Sequence, residues 1–285
     1  MADLDNIEWF VPDPSIEVRQ GDVLICRNPR TGHVNEICLV ITADCDISRF
    51  KSGWQLACLR IVFLAEYIRT TWAVRKLNKA LRDESEKVRG QVAKWHTRIL
   101  GSQSTLTSEA MTAWVRREDP KSICNSLQVP DGDRQKFIAA ITAFHNALNS
   151  IETSAAKDGL AQLVAFKAAI RGKEPHECHQ EALLQAQKES FPEDVFLLPS
   201  LPQLDDGAAV VLLREVTGIS RETICYRATD ADSSDIFLRV GRLHPTFKYA
   251  ISQAFGSLYS RIGLPSDYEA RCKGAIEELG KLAWE

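Results

Sequence analysis

The 285-residue chain has no Cys-x-x-Cys pair, no internal repeat, no low-complexity tract and no excess of basic charge. Its apolar runs, such as 61–65, are strand-sized and far short of the roughly 20 residues of a membrane span. Each absence excludes a class. Thirty-five Lys and Arg stand against 38 Asp and Glu, a net charge of −3, so a generic nucleic-acid coat is excluded, though not a local basic patch. Residues 1–6 are acidic where an export signal is basic and then apolar, so a reducing cytoplasm is the expected location. The eight cysteines (Cys26, Cys38, Cys45, Cys58, Cys124, Cys178, Cys225 and Cys272) are widely and singly spaced. In a chain of this size they read as buried thiols rather than a disulfide framework. No cofactor is called for.

What remains is an ordinary globular balance, 45% hydrophobic and 26% charged. At roughly 150 residues per domain, the length suggests two. The hydrophobic period changes twice along the chain. Residues 20–64 read as strands: Gly21 to Cys26, then a turn through Asn28-Pro29-Arg30-Thr31-Gly32, then Glu36 to Thr42, then Trp54 to Leu64. The unbroken apolar run Glu36 to Thr42 predicts a strand covered on both faces, and Ala43 to Gly53 reads as a polar loop. Residues 65–190 read as helices. Val74, Leu81, Val88 and Trp95, with Leu77, Val92 and Ile99, form one stripe on a long helix; Asp131 is a candidate cap for the helix carrying Phe137, Ile141, Phe144, Leu148 and Ile151. Strands return at 194–198, 208–214, 223–227 and 236–240, and helices close the chain at 245–262 and 266–282 with Leu264-Pro265-Ser266 between them. The predicted class is α+β: a small β-barrel built from 1–64 and 191–285, split by an all-helical insertion at 65–190, because separated strands must re-pair to remove their edges.

The terminal pieces resemble the MazF/PemK toxin barrel. Gly21-Asp22-Val23-Leu24-Ile25-Cys26, the turn to His33, Cys38 to Thr42 and Gly53 to Val62 are similar to that family's opening strands. Ala209 to Ile219 and Phe237-Leu238-Arg239-Val240-Gly241-Arg242-Leu243 are similar to its later strands and the lead into its last helix. The similarity covers about a third of the chain, at 20–64 and 208–262. It implies an SH3-like barrel, a dimeric, sequence-selective and metal-independent endoribonuclease activity, and an antitoxin partner. The family's catalytic Arg and Ser/Thr fall here at Asn35, beside Glu36, and at Phe63 or Leu64, none of which fits those roles. The expected function is therefore that of an accessory or effector protein in a bacterial toxin–antitoxin or defence-type system, binding a protein or RNA partner through a catalytically diverged barrel.

Two alternatives stay open. One is a ribonuclease with a rewired site. Thr42-Ala43-Asp44-Cys45-Asp46 follows an apolar strand, where a polar loop often carries chemistry, although flanking carboxylates raise a thiol's pKa. In that loop Cys45 is equally read as a small buried residue beside an Asx turn. If the barrel closes as in the resembled family, His33, Arg30 and Arg60 lie near Asp44, Cys45 and Asp46, and an Arg with a His and an Asp suits phosphate or RNA handling. The other alternative is a scaffold that binds through the helical insertion. Residues 66–101 carry nine basic against four acidic side chains, with Arg75, Lys76, Lys79, Arg82 and Arg89, together with Arg30 of the barrel, as candidate nucleic-acid or partner-binding residues; residues 192–235 carry nine acidic against three basic. Trp72, Trp95 and Trp114 stand at helical spacing and read as helix contacts. His176, Cys178 and His179 hold metal-capable groups in four residues, yet no second ligand pair is visible, so no metal site is assigned.

Overall fold

Strand-forming runs at both ends of the chain and a helical period between them set the element order. A computed structural model describes residues 8–101, 106–154, 158–204, 207–231, 233, 235–260 and 271. It begins with β1 (Trp9–Phe10), β2 (Asp22–Arg27), β3 (Val34–Val40), the short α1 (Asp44–Ser48) and β4 (Gln55–Phe63). Then come α2 (Leu64–Tyr67), a π-helical turn (Ile68–Trp72), α3 (Ala73–Leu100), α4 (Ser108–Arg117), α5 (Pro120–Ser126), α6 (Asp131–Thr153), α7 (Gly159–Arg171) and α8 (Pro175–Lys188). β5 (Val195–Leu198), β6 (Ala209–Ser220), β7 (Ile224–Cys225), β8 (Phe237–Leu243) and α9 (Pro245–Tyr259) complete it. The expected helix at 266–282 and its Leu264-Pro265-Ser266 boundary lie outside the described residues, as does Cys272. No helix among the described residues is long and apolar enough to cross a membrane.

The protein is α+β and divides into two compact units, Met1–Phe63 with Phe191–Glu285 and Leu64–Ser190. In the first unit one curled sheet runs β1-β8-β2-β3-β4-β6-β5, antiparallel along that path, with β7 parallel to β8. β2, β3 and β4, from before the helices, thus sit centrally, flanked by β8 on one side and by β6 and β5 on the other, with β1 at the edge beyond β8. Both sheet faces are packed, so the alternation of β2 and β3 carries two cores. Val23, Ile25, Ile37, Leu39, Leu59 and Ile61 join Val211, Leu213, Val240 and Ile251 on one face. Leu24, Cys38, Val40, Leu56 and Cys58 join Val18, Ile47 and Ile219 on the other. β6 is longer than its apolar run because its outer half, Val216–Ser220, pairs with Gln55–Leu59, while Ala209–Val211 pairs with Ile61–Phe63. The extra residues of β6 between these two stretches form a bulge opposite Arg60, a device that bends a strand. The expected strand at 223–227 contracts to β7. Gly241 is required where β8 passes Pro202: a Cβ there would lie 2.5 Å from the proline ring.

The helical unit is packed around α3, against which α7, α4 and α6 lie. Its buried stripe is Leu77, Ser85, Val88, Val92 and Trp95, with Leu81 half-buried; Ser85 fills the seam by bonding to Thr112 Oγ1 at 2.9 Å. Two expected stripe members, Val74 and Ile99, are 36% and 42% exposed. Thr107, Asp119 and Asp158 cap α4, α5 and α7 through their side chains, whereas Asp131 lies inside the first turn of α6 behind Pro130 and caps nothing. The first residue of α7, Gly159, admits no side chain, since a Cβ would meet Val74 Cγ2 at 2.5 Å and the Arg69 carbonyl at 2.8 Å.

Candidate functional site

The β3–β4 connection begins with Thr42, whose hydroxyl accepts the Ala57 N–H at 2.7 Å and so ends the ladder. α1 then carries Asp44, Cys45 and Asp46, with both carboxylates in its first turn, where they oppose the helix dipole favourably. Asp44 is already committed. It accepts the Gln20 N–H at 2.9 Å and a 2.9 Å ion pair from Lys248 of α9, whose stem lies across Gly21. Burial raises its pKa, but the Lys248 bond, the Gln20 amide and the Lys248 and Arg19 charges outweigh it, and the carboxyl sits below its ordinary range. Asp46 faces Lys51 at 3.7 Å. The reading of Cys45 as a buried residue is corrected: its thiol is exposed, because α1 turns only Ile47 inward. The other described cysteines are buried, and burial pushes Cys58 up to about 12 and Cys38 higher still, so these thiols stay protonated.

The rest of the expected cluster is not drawn together. His33 and Arg30 occupy the exposed β2–β3 turn, and α1 follows the opposite end of β3, about 20 Å along a seven-residue strand. Arg60 sits across from Cys38 in mid-sheet and forms a 3.3 Å ion pair with Glu215 of the β6 bulge. Strand register keeps the β2–β3 turn, Arg60 and α1 at separate positions along β3 and β4. Asn35 and Glu36 lie on β3, and Phe63 ends β4 packed against the core.

Two arrangements were not foreseen. Asp22 is fully buried and takes a two-pronged bond from Arg242 Nε and Nη2, the second at 2.9 Å, with Arg239 Nη1 at 3.9 Å. The arginines also donate to the carbonyls of Asp13 and Glu17, and Arg239 lies 4.6 Å from the centre of the Tyr226 ring. Burial pushes the Asp22 carboxyl up, against the pull of Arg242. The second is a rim on the loop after α1. Phe50 and Trp54 are 47% and 57% exposed and meet edge to face at 5.0 Å. Arg221 stacks 5.2 Å from the Phe50 ring and donates to the Ile47 carbonyl, and Arg49 and Lys51 are exposed beside it. Phe50 holds φ 55°, a left-handed backbone costly for a side-chain-bearing residue, and the buried Ser52 Oγ has no hydrogen-bond partner. The sequence signal is Arg49-Phe50-Lys51-Ser52-Gly53-Trp54, two basic and two aromatic residues within six.

In the helical unit, Lys76 is held by Glu189 at 2.6 Å and Arg89 by Glu86 at 2.8 Å, so neither projects as a bare cation. Arg75, Lys79 and Arg82 are exposed on α3. Trp72 and Trp95 are buried as helix contacts; Trp114 is half-buried. On α8, Cys178 points inward while His176 and His179 face solvent, and no group of three metal-capable side chains occurs among the described residues. The chain matches no protein-family model, no curated protein and no solved structure.

Proposed function

We propose that the sheet unit is a MazF/PemK-like, SH3-like barrel interrupted by a helical insertion. The protein then acts as an accessory or effector component of a bacterial toxin–antitoxin or defence-type system that binds single-stranded RNA without cleaving it. Supporting the barrel assignment, the residues that carry the resemblance at the two chain ends, Asp22 and the Arg239/Arg242 pair, converge in one buried cluster. Supporting the loss of cleavage, Asn35 and Phe63 stand at the family's catalytic positions, and in the alternative set Arg60 and His33 lie apart from Asp44, Cys45 and Asp46 on α1.

The observation that carries the binding reading is the Phe50–Trp54 rim. Exposed aromatics beside the exposed Arg49 and Lys51, the latter 3.7 Å from Asp46, suit unpaired bases and their phosphates, and stacking contributes about 1–3 kcal/mol per base. Labelled RNA 12-mers, titrated by fluorescence anisotropy and run on gels with and without divalent metal, test this. The expected result is intact RNA bound with an affinity that Trp54→Ala lowers about tenfold. Absence of binding sinks the reading, and cleavage abolished by Asp46→Ala or Arg60→Ala restores the rewired nuclease.

A further inference from the structure

The helical unit contains a cleft of about 330 Å³, at the low end of the size of ligand sites, lined by His96 and Ile99 of α3, Trp114 and Arg117 of α4, and Ser126 and Leu127 at the end of α5. His96 and Ile99, like Trp114 and Arg117, are three residues apart, so each helix offers one apolar and one polar side chain on a shared face. Three features bear on what the cleft takes. Its walls are an indole and two branched aliphatic groups, a surface for a flat apolar body. Its polar lining is one guanidinium, one imidazole and one hydroxyl, with no carboxylate, so its charge favours an anion. Finally, its polar groups are not used up by the fold. His96 Nδ1 is buried without a hydrogen-bond partner, and Arg117 approaches Glu118 only to 4.0 Å, with its side chain 78% exposed.

We infer that this cleft binds a small aromatic monocarboxylate, with the ring against Trp114, Ile99 and Leu127 and the carboxylate on Arg117, aided by His96 and Ser126. The pairing follows from chemistry: a planar guanidinium holds a carboxylate through two parallel N–H···O bonds, while the apolar wall takes the ring. The site lies wholly within the helical unit and does not depend on the RNA reading.

Isothermal titration of the full chain with indole-3-acetate, its neutral amide and inorganic phosphate tests the inference. Saturable binding of the acid is expected, at least tenfold weaker binding of the amide, and none of phosphate. Arg117→Gln should weaken the acid at least tenfold and leave the amide unchanged, while Trp114→Leu weakens both. Because Trp114 is half-buried, the largely exposed Arg117 provides the variant whose folding is not at issue. No saturable binding of the acid, equal binding of acid and amide, or acid binding unchanged in Arg117→Gln each overturns the proposal.

Discussion

Asp22 and Asp44 each meet a cation delivered from beyond Phe237, yet they sit in opposite environments. Asp22 has no exposed surface, and its partners Arg239 and Arg242 have side chains only 1% and 11% exposed. Asp44 is 39% exposed and faces a single ammonium, that of Lys248. The first cluster locks β2, β8 and the 13–19 segment together; the second ties α1 to α9 at the surface. Ion pairs of similar length therefore do unequal work, because water screens one and is excluded from the other. The same contrast separates the packed sheet faces from the Phe50–Trp54 rim, where aromatic surface remains available to a partner.

The comparison breaks first at Asp22. Asp22→Asn removes the countercharge from two buried guanidiniums, and a loss of about 3–5 kcal/mol is expected in urea unfolding. A variant as stable as the parent would show that the cluster does not hold the unit. A smaller effect is expected from Gly241→Ala, which forces β8 away from Pro202 and should cost about 1–3 kcal/mol by the same measurement. Trp54→Ala sharpens the contrast from the other side: stability within about 0.5 kcal/mol of the parent, with RNA affinity reduced. The smallest effect concerns pH. The Asp44 carboxyl is held below its ordinary value in the folded state, so its contribution is present above the unfolded pKa, near 4, and is lost as pH falls through the lower folded pKa. Solvent screening keeps it well under about 1 kcal/mol. The stability difference between parent and Asp44→Asn, followed from pH 7 to pH 3, should therefore shrink toward zero; a difference that grows on acidification would reverse the assignment.

Much of the local structure was legible in the residues. Apolar runs between turn signals located β2, β3 and β4, and the 4-3-4-3 spacing from Phe137 located α6. The candidate site was less so. Asp44, Cys45 and Asp46 share α1 because they are adjacent in sequence, whereas His33 and Arg60 had to be placed by strand register, which residue type does not encode. Arg239 and Arg242 carry part of the resemblance, but neither their type nor their spacing shows that both approach the buried Asp22, which pairs across the sheet with Arg242. Phe50 is hidden by the polar content of 43–53, and Trp54 by the apolar run it opens, although β4 begins only at Gln55.

By itself the sequence determined the periods and breaks: strands at the two ends, helices between them, and Gly172 stopping α7 in the left-handed conformation. Only the tertiary structure decided which strands meet, which charges are buried and which aromatics stay in solvent. Local propensity acts over a few residues, whereas β2–β8 and β4–β6 pairing joins segments more than 140 residues apart, where register and desolvation are set by packing.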